Sequence, residues 1–304
     1  MVRIADIVVT EATLTALMAI SRYRYLSVNQ VAMMTGLRPK SASELLLRLE
    51  RQKLLSSFGN TGIRGYGKTP KMYFLTKGGH KLLHEEGEAL GWHVEPYRPV
   101  NVTTRWSPVM FHRLDTLDAL AALERDCANL RGYQLVKTLV EYRRERVGRD
   151  WRKETTDYVA SPPVAENKIV PDAGFVLESL DTGKRVLFLM EVDCGTERLT
   201  TTKVEAISQS FIHKLRQYDR YLHSGNARAR YQRLGDFASF RLLVITTSQK
   251  RVENMRQASA PLNPDYDQFY RFSTLSDVKD NFLHSGWRSR SCADQNTYQL
   301  IKGT

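Results

Sequence analysis

Four apolar segments of strand length in the second half of the chain constrain its fold most strongly. They lie at residues 133–142, 169–177, 185–192 and 240–246. Segments with helical periodicity occupy 109–125 and 201–222, so the predicted order is α-β-β-β-α-β. A helix near 251–258 and a short strand at 269–272 follow. Because each strand and each helix must bury its apolar side, this order predicts a mixed sheet with helices on both faces.

The first 90 residues predict helices followed by a hairpin. Helical periodicity at 11–20 is followed by a short helix that Ser27 caps and Gly36 ends, and a third helix at 41–49 follows Pro39. Strands at 54–58 and 71–75 flank the glycine-rich segment GNTGIRGYGKTP, and another helix begins at Thr76. This segment resembles a winged helix-turn-helix domain. The expected class is therefore α+β, with a winged helix at 1–90, a linker at 91–108 and an α/β domain at 109–304.

The chain is strongly basic, with a formal net charge of +12, which favours a polyanionic partner. Ten Lys and Arg residues against two acids lie between Gly36 and Lys81. A winged helix predicts double-stranded DNA as the ligand, contacted by the third helix and by the glycine-rich wing. The candidate contacts are Arg38, Lys40, Ser41, Ser43 and Arg48 on the helix, and Arg64, Lys68 and Lys71 on the wing. The alternatives are a solvated basic surface or a winged helix that contacts protein.

Compartment is indicated by three features of the sequence. Its longest apolar run, VLFLM at 186–190, is too short to cross a bilayer, and acidic residues interrupt any signal-peptide pattern near the start. The three cysteines show no pairing or zinc-ligand spacing, which is typical of a reducing environment. We therefore expect a cytoplasmic protein without membrane insertion.

Three acids are predicted to converge at strand ends. Asp172 follows Pro171 in the second predicted strand of the α/β domain, and Glu191 and Asp193 flank Val192 at the end of the third. Residues two apart on a strand point to the same face, and a hairpin brings Asp172 beside them. Converging carboxylates repel one another unless a cation neutralises them, so the pattern indicates Mg²⁺ or Mn²⁺. Such a metal activates a nucleophile and stabilises charge on a phosphodiester. The alternatives are that Asp172 and Glu191 pair with arginines, and that Asp193 is a turn or cap residue near Gly195.

Asp172, Glu191 and the α-β-β-β-α-β order resemble the PD-(D/E)xK nuclease fold of restriction endonucleases. Where that pattern has lysine, two residues after the acid, this chain has Asp193. The resemblance implies a lysine displaced onto the next helix, and Lys214 is the candidate; the alternative is a solvated or phosphate-binding lysine. Gln217 and Tyr221 look like the Gln-x-x-x-Tyr element of some of these nucleases.

A winged helix followed by PDAGFVLE, FLMEVDCGTE and KLRQYDRYL resembles the replication-relaxation family of mobile elements and the MobC-type relaxases. On that likeness Asp172, Glu191 and Asp193 are the metal-binding acids, and Lys214 completes the catalytic set. Glu197 is a fourth acid or a helix cap. His112 is a catalytic candidate or a packed helix residue.

The leading hypothesis is a metal-dependent DNA-nicking enzyme of a plasmid or integrative element, acting at an origin of transfer or replication. Single-stranded DNA after nicking and other DNA-processing proteins of the same element are the further expected partners. The rival is a non-catalytic origin-binding or regulatory protein with a degenerate nuclease fold. A transcription factor with an effector-sensing domain is a third possibility, but it leaves the acids unexplained.

Overall fold

A computed structural model describes residues 9–59, 62–63, 67–100, 108–147, 150–160, 163–195, 197–200 and 210–301. The chain divides into two compact units, Met1–Arg125 and Asp126–Thr304. In the described ranges no helix is long and apolar enough to cross a membrane. The long helix α5, Pro108–Ala128, begins in the first unit and ends just inside the second.

In its described residues, the first unit contains four helices before α5 and five short strands. They are α1 (Glu11–Tyr23), β1 (Leu26–Ser27), α2 (Val28–Thr35), α3 (Pro39–Arg51), β2 (Leu55–Gly59), β3 (Gly62–Ile63), β4 (Gly67–Lys68), β5 (Lys71–Leu75) and α4 (Lys77–Ala89). The strands β1, β5 and β2 form a three-stranded antiparallel sheet, and β3 pairs with β4 near the end of the hairpin. The predicted helix-turn-helix and hairpin are therefore present.

Local capping signals determine where these helices begin and end. The Ser27 hydroxyl accepts a hydrogen bond from the Gln30 amide, and the Gln30 side chain accepts one from the Ser27 amide, which forms a capping box. Gly36 ends α2 at φ +70°, a left-handed conformation that favours glycine. Helix α3 starts at Pro39, two residues before the prediction, because proline suits the first turn of a helix, where its missing N–H is not needed.

The second unit consists of a seven-stranded sheet and the elements that cover it. Its members after α5 are β6 (Tyr133–Val140), β7 (Arg144–Val147), β8 (Asp150–Lys153), β9 (Asp157–Tyr158), β10 (Lys168–Ile169), β11 (Ala173–Ser179), β12 (Arg185–Val192), α6 (Phe211–Ser224), α7 (Asn226–Tyr231), β13 (Phe240–Thr246), α8 (Gln249–Ser259), β14 (Tyr270–Thr274), α9 (Leu275–Asp280), β15 (Trp287–Ser289) and β16 (Thr297–Tyr298). The strand order is β16-β15-β14-β13-β12-β11-β6. The pairs β12–β13 and β13–β14 are parallel and the others antiparallel, which confirms the predicted mixed sheet.

Three sequence predictions for this unit need correction. The strand predicted at 169–177 is two strands, β10 and β11, because Pro171 lies between them and cannot donate to a ladder. Asp172 therefore precedes β11 instead of lying within a strand. The helix predicted at 201–222 begins only at Phe211, where the Ser210 side chain caps it; residues 201–209 lie outside the described ranges. The segment between the first two predicted strands, for which the sequence predicts no strand, contains the β7–β8 hairpin and β9.

Helices α6 and α8 pack on one face of the sheet. Leu215 and Tyr218 of α6, together with Val252 of α8, share a buried cluster with side chains from β11 to β14. On other positions of β11 and β12, Phe175 and Phe188 stack with their ring centroids 4.6 Å apart. This packing fixes α6 against the strand ends at which the predicted acids lie.

Candidate functional site

Asp172 and Glu191 lie opposite each other at one end of the β11–β12 hairpin. Ala173 pairs with Met190 in the antiparallel register, so the next positions outward are 172 and 191. The Asp172 amide donates to the Met190 carbonyl (3.0 Å), and Asp172 Oδ2 accepts from the Val192 amide (2.8 Å). Directly opposed residues of an antiparallel pair project to the same face. The hairpin thus brings these two acids together, as the sequence predicts.

Glu191 is held by two side chains from α6. Lys214 Nζ lies 3.1 Å from its Oε2, and the Tyr218 hydroxyl donates to its Oε1. Glu191 is only 6% exposed. Burial raises the pKa of Glu191 to about 7, and nearby Asp172 adds to the rise, although the Lys214 ammonium and the hydrogen bond from Tyr218 oppose it. Lys214, the lysine predicted on the next helix, therefore contacts Glu191 on β12.

Lys214 is surrounded by acids. Besides Glu191 it contacts Glu197, with Nζ 3.2 Å from Oε2. Burial alone would lower the pKa of Lys214, but Glu191, Glu197 and Asp172 outweigh it and raise that pKa. Burial raises the pKa of Glu197, against the effect of the Lys214 ammonium. Of the two roles predicted for Glu197, its geometry matches that of an additional acid of this cluster.

Asp193 is engaged elsewhere. Its Oδ2 accepts from Arg251 Nε (2.6 Å) and from the Thr246 hydroxyl (2.6 Å), and its Oδ1 accepts from Arg251 Nη2 (2.9 Å). Burial opposes ionisation of Asp193, but these hydrogen bonds outweigh it and lower its pKa. Asp193 therefore pairs with an arginine, which is neither the metal ligand nor the turn or cap residue predicted for it. Glu191, for which an arginine partner is the alternative prediction, is paired with a lysine instead.

Gln217 and Tyr221 have different surroundings from each other. Gln217 lines the cleft beside Lys214, and its side-chain amide donates to the Glu166 carbonyl (2.9 Å). The Tyr221 hydroxyl donates to Asp157, away from the acid pair. The tyrosine that contacts Glu191 is Tyr218, which the sequence analysis did not select. Its position four residues after Lys214, on the same face of a helix, is the signal that identifies it.

The cluster opens into a cleft of about 300 Å³. Its lining includes Glu191, Glu197, His213, Lys214, Gln217 and Tyr218, with residues 165–166 and 168–170 on the facing side. His213 is a second lining residue that the sequence analysis did not select. The cleft thus combines carboxylates, an ammonium group, an imidazole and a phenol at the ends of the central strands.

The donor set fits a small magnesium site better than a three-acid one. In the ranges that the structure describes, no three His, Cys, Asp or Glu side chains are arranged to share a metal ion. Mg²⁺ in phosphoryl-transfer sites is commonly held by one or two carboxylates together with substrate phosphates and water. Asp172 and Glu191, which are opposed on the hairpin, meet that smaller requirement. Asp193 instead forms an ion pair with Arg251.

The predicted DNA contacts in the first unit fall into two groups. Among the candidate residues on α3 and its N-cap, only Ser43 is half-buried and the others are exposed. Lys68, on β4, is also exposed. The exposed members on α3 and its cap are Arg38, Lys40, Ser41 and Arg48. Lys71 instead bridges β5 and α3, since its Nζ lies 2.7 Å from Glu50 Oε2.

Two further candidates in the first unit complete the account. Arg64 lies outside the described residues. His112 is half-buried on α5, where its carbonyl accepts from the Thr116 hydroxyl (3.0 Å).

Comparison with protein families places this architecture in a known group. The replication-relaxation family model matches residues 17–237, which include most of the first unit, the opposed acids and α6. The chain belongs to the replication-relaxation family. Membership suggests a role in the replication or relaxation of a plasmid or other element. A comparison with curated proteins finds no match to the chain.

Solved structures offer only partial likenesses. BpsR of Bordetella bronchiseptica, whose DNA binding is regulated by 6-hydroxynicotinic acid, is 24% identical over 29% of this chain and 63% of its own, with a TM-score of 0.24. A mutant of MepR from S. aureus is 22% identical over 27% of this chain and 59% of its own, with a TM-score of 0.24. The chain therefore spans less than two thirds of the length of either protein.

Proposed function

We propose that the protein is a metal-dependent DNA-nicking enzyme of a plasmid or integrative element, acting at an origin of transfer or replication. The observation that carries the proposal is the contact of Lys214 with Glu191, which is opposite Asp172 on the hairpin. Lys214 and Glu191 both line the cleft. Two acids on a hairpin and a lysine on the following helix are the groups that the PD-(D/E)xK resemblance implies.

Each residue has a role that follows from its contacts. Bound by Asp172 and Glu191, Mg²⁺ or Mn²⁺ would supply positive charge that stabilises the phosphodiester as it reacts. Lys214 has three N–H donors, so it can keep its hydrogen bond to Glu191 and donate to a non-bridging phosphate oxygen. Tyr218 fixes the orientation of Glu191 from inside the core. The Val192 amide donates to Asp172 Oδ2 and so holds the Asp172 carboxylate in place.

The first unit supplies the contact with double-stranded DNA in this proposal. Helix α3 and its N-cap present Arg38, Lys40 and Arg48 to solvent. Arg38 and Lys40 lie at the N-terminus of the helix, which is the part of a recognition helix that contacts the major groove. Single-stranded DNA would be the product of nicking, and other DNA-processing proteins of the element would be partners. We expect action in a reducing cytoplasm, because the three cysteines of the sequence show no pairing or zinc-ligand spacing.

One observation favours a second candidate, a non-catalytic origin-binding protein with a degenerate nuclease fold. At the position where the nuclease pattern has lysine, Asp193 forms an ion pair with Arg251. If Lys214 only neutralises buried acids, the cleft is structural and the first unit carries the whole function.

The deciding experiment is nicking of a supercoiled plasmid that carries the element's own candidate origin, with Mn²⁺, with Mg²⁺ and with EDTA. We expect metal-dependent relaxation by the wild type. The Asp172→Ala/Glu191→Ala and Lys214→Met variants should lose it while binding the origin normally. Asp181→Asn is the matched control, because Asp181 is an exposed acid at the opposite end of the same hairpin. Tight origin binding without cleavage under any metal would refute the nuclease and support the binding protein.

A further inference from the structure

The outer face of α6 carries a row of basic side chains beside the cleft. His213, Arg216, Arg220 and His223 follow one another at spacings of three, four and three residues. Such spacings place side chains along one stripe of a helix. Arg216, Arg220 and His223 are exposed, and His213 is half-buried because it also lines the cleft. We call these four residues the α6 stripe.

Within the described part of the chain, the two arginines of the α6 stripe form no ion pair with a carboxylate. Other arginines of the second unit do form such pairs. Arg228 and Arg230 on the neighbouring α7 differ, since they pair with Asp236 and Glu145. The one acid of α6, Asp219, lies on its buried side against Arg290. The two arginines of the stripe therefore carry positive charge that no carboxylate of the described residues neutralises, and the stripe ends at the cleft.

We propose that the α6 stripe binds the phosphates of a single DNA strand and leads that strand into the cleft at His213. This inference rests on the proposed function, because it assigns the path of the strand on which the cleft acts. Arg216 and Arg220 are separated by four residues, about 6 Å of helix rise, so they can contact successive phosphates of one strand. A cleft of about 300 Å³ has the size of a small-ligand site, so it accepts a nucleotide of a separated strand and excludes a duplex.

The stripe recognises the strand without reading its sequence. Guanidinium groups donate to phosphate oxygens, which every nucleotide carries. Binding should therefore depend steeply on salt and little on base composition. Gln217, one residue after Arg216, faces the cleft instead of the stripe, so the strand passes from phosphate contacts to the acid pair within one turn of α6.

The test measures the affinity of the full chain for a fluorescent single-stranded oligonucleotide by anisotropy, in EDTA, over a series of salt concentrations. For single strands the slope of log affinity against log salt changes by about 0.7 for each phosphate contact. Arg216→Gln/Arg220→Gln should therefore reduce the slope by about 1.4, whereas Arg216→Lys/Arg220→Lys should nearly retain it. Unfolding curves of each variant verify that it is folded, and the single Arg216→Gln variant, with an expected change of about 0.7, serves if the double variant does not fold.

Arg131→Gln/Lys184→Gln is the matched control. Both residues are exposed at the far end of the β11–β12 hairpin, and the pair removes the same charge. An unchanged slope in the Arg216→Gln/Arg220→Gln variant, or an equal loss in the control, overturns the proposal. Because binding is measured without metal, the two proposals fail separately. If the wild type never nicks DNA but the Arg216→Gln/Arg220→Gln variant shows the reduced slope, only the proposed nicking activity is refuted. If the wild type nicks DNA but the slope of the variant is unaltered, only the proposed strand path is refuted.

Discussion

Replacing Arg290 with methionine should lower the stability of the second unit. Arg290 follows β15 and its side chain is 1% exposed. Its guanidinium lies 2.8 Å from Asp219 on α6 and 2.7 Å from Asp267, and it stacks 4.2 Å from the centre of the Tyr270 ring. Methionine keeps most of the volume but leaves two carboxylates without their cation.

The expected cost is about 3 kcal/mol of unfolding free energy. Removing one partner of a buried ion pair costs roughly 3–5 kcal/mol, and the low end applies because Asp267 keeps 23% of its side chain exposed. For a unit of this size that corresponds to a fall in Tm of roughly 6–12 °C. Burial already raises the pKa of Asp219 in spite of the hydrogen bonds from Tyr270 and Arg290. Without the guanidinium that pKa rises further, so protonation relieves the variant and its deficit should shrink as the pH falls.

Urea unfolding followed by tryptophan fluorescence, at pH 8 and pH 5, measures both effects, since Trp287 of β15 is fully buried. Arg288→Met is the control: Arg288 lies on β15, two residues before Arg290, and is half-buried. Its contact within the described residues is a hydrogen bond to the Gln295 carbonyl (3.1 Å). It should cost well under 1 kcal/mol. Arg290→Met with near-normal stability at both pH values and weaker DNA binding would refute this reasoning, and it would make Arg290 a DNA contact.

The first unit offers two further tests by urea unfolding. A Cβ at Gly79 would lie 2.0 Å from the Leu54 carbonyl oxygen, so Gly79→Ala should cost at least roughly 1–3 kcal/mol of stability, as overpacking does. At Gly78 the nearest atom is 3.6 Å away, so Gly78→Ala should stabilise α4 by up to about 1 kcal/mol. Equal effects of the two substitutions would contradict the packing. Burial opposes ionisation of Glu50, but hydrogen bonds from Lys71 and Ser57 outweigh it and lower the pKa of Glu50. The Lys71–Glu50 pair should therefore contribute about 0.5 kcal/mol above the ordinary pKa of glutamate and lose it as the pH falls through the lowered value. Glu50→Gln should remove that pH dependence, and an unaltered acid limb in the variant would count against the pair.

Elements with local signals were predictable from the sequence. Ser27 and Gly36 bound α2 through a capping box and a left-handed residue, and each signal lies within four residues of the helix end it determines. Thr76 caps α4 in the same way. The apolar runs at β12 and β13 match the observed strands because continuous burial leaves few other conformations.

Contacts between distant segments were not predictable. Asp193 and Arg251 are 58 positions apart, and only the parallel pairing of β12 with β13 brings α8 beside the end of β12. The strand-spacing rule therefore grouped Asp193 with Glu191, although a long-range ion pair engages it. Similarly, a motif pattern selects Tyr221, whereas the packing of α6 on the sheet turns Tyr218 toward the acid.

The position of Lys214 links these observations to function. In the restriction-enzyme pattern the lysine follows the acid on the same strand, but here that position is beside Thr246 and Arg251, where an acid is the better partner. Helix α6 supplies the ammonium instead, one turn before the tyrosine that orients Glu191. A surface that only binds DNA is weakened by carboxylates, because they repel phosphates. Acids buried beside a lysine in an open cleft are therefore costly to a binding platform, whereas a phosphodiester-cleaving site requires them.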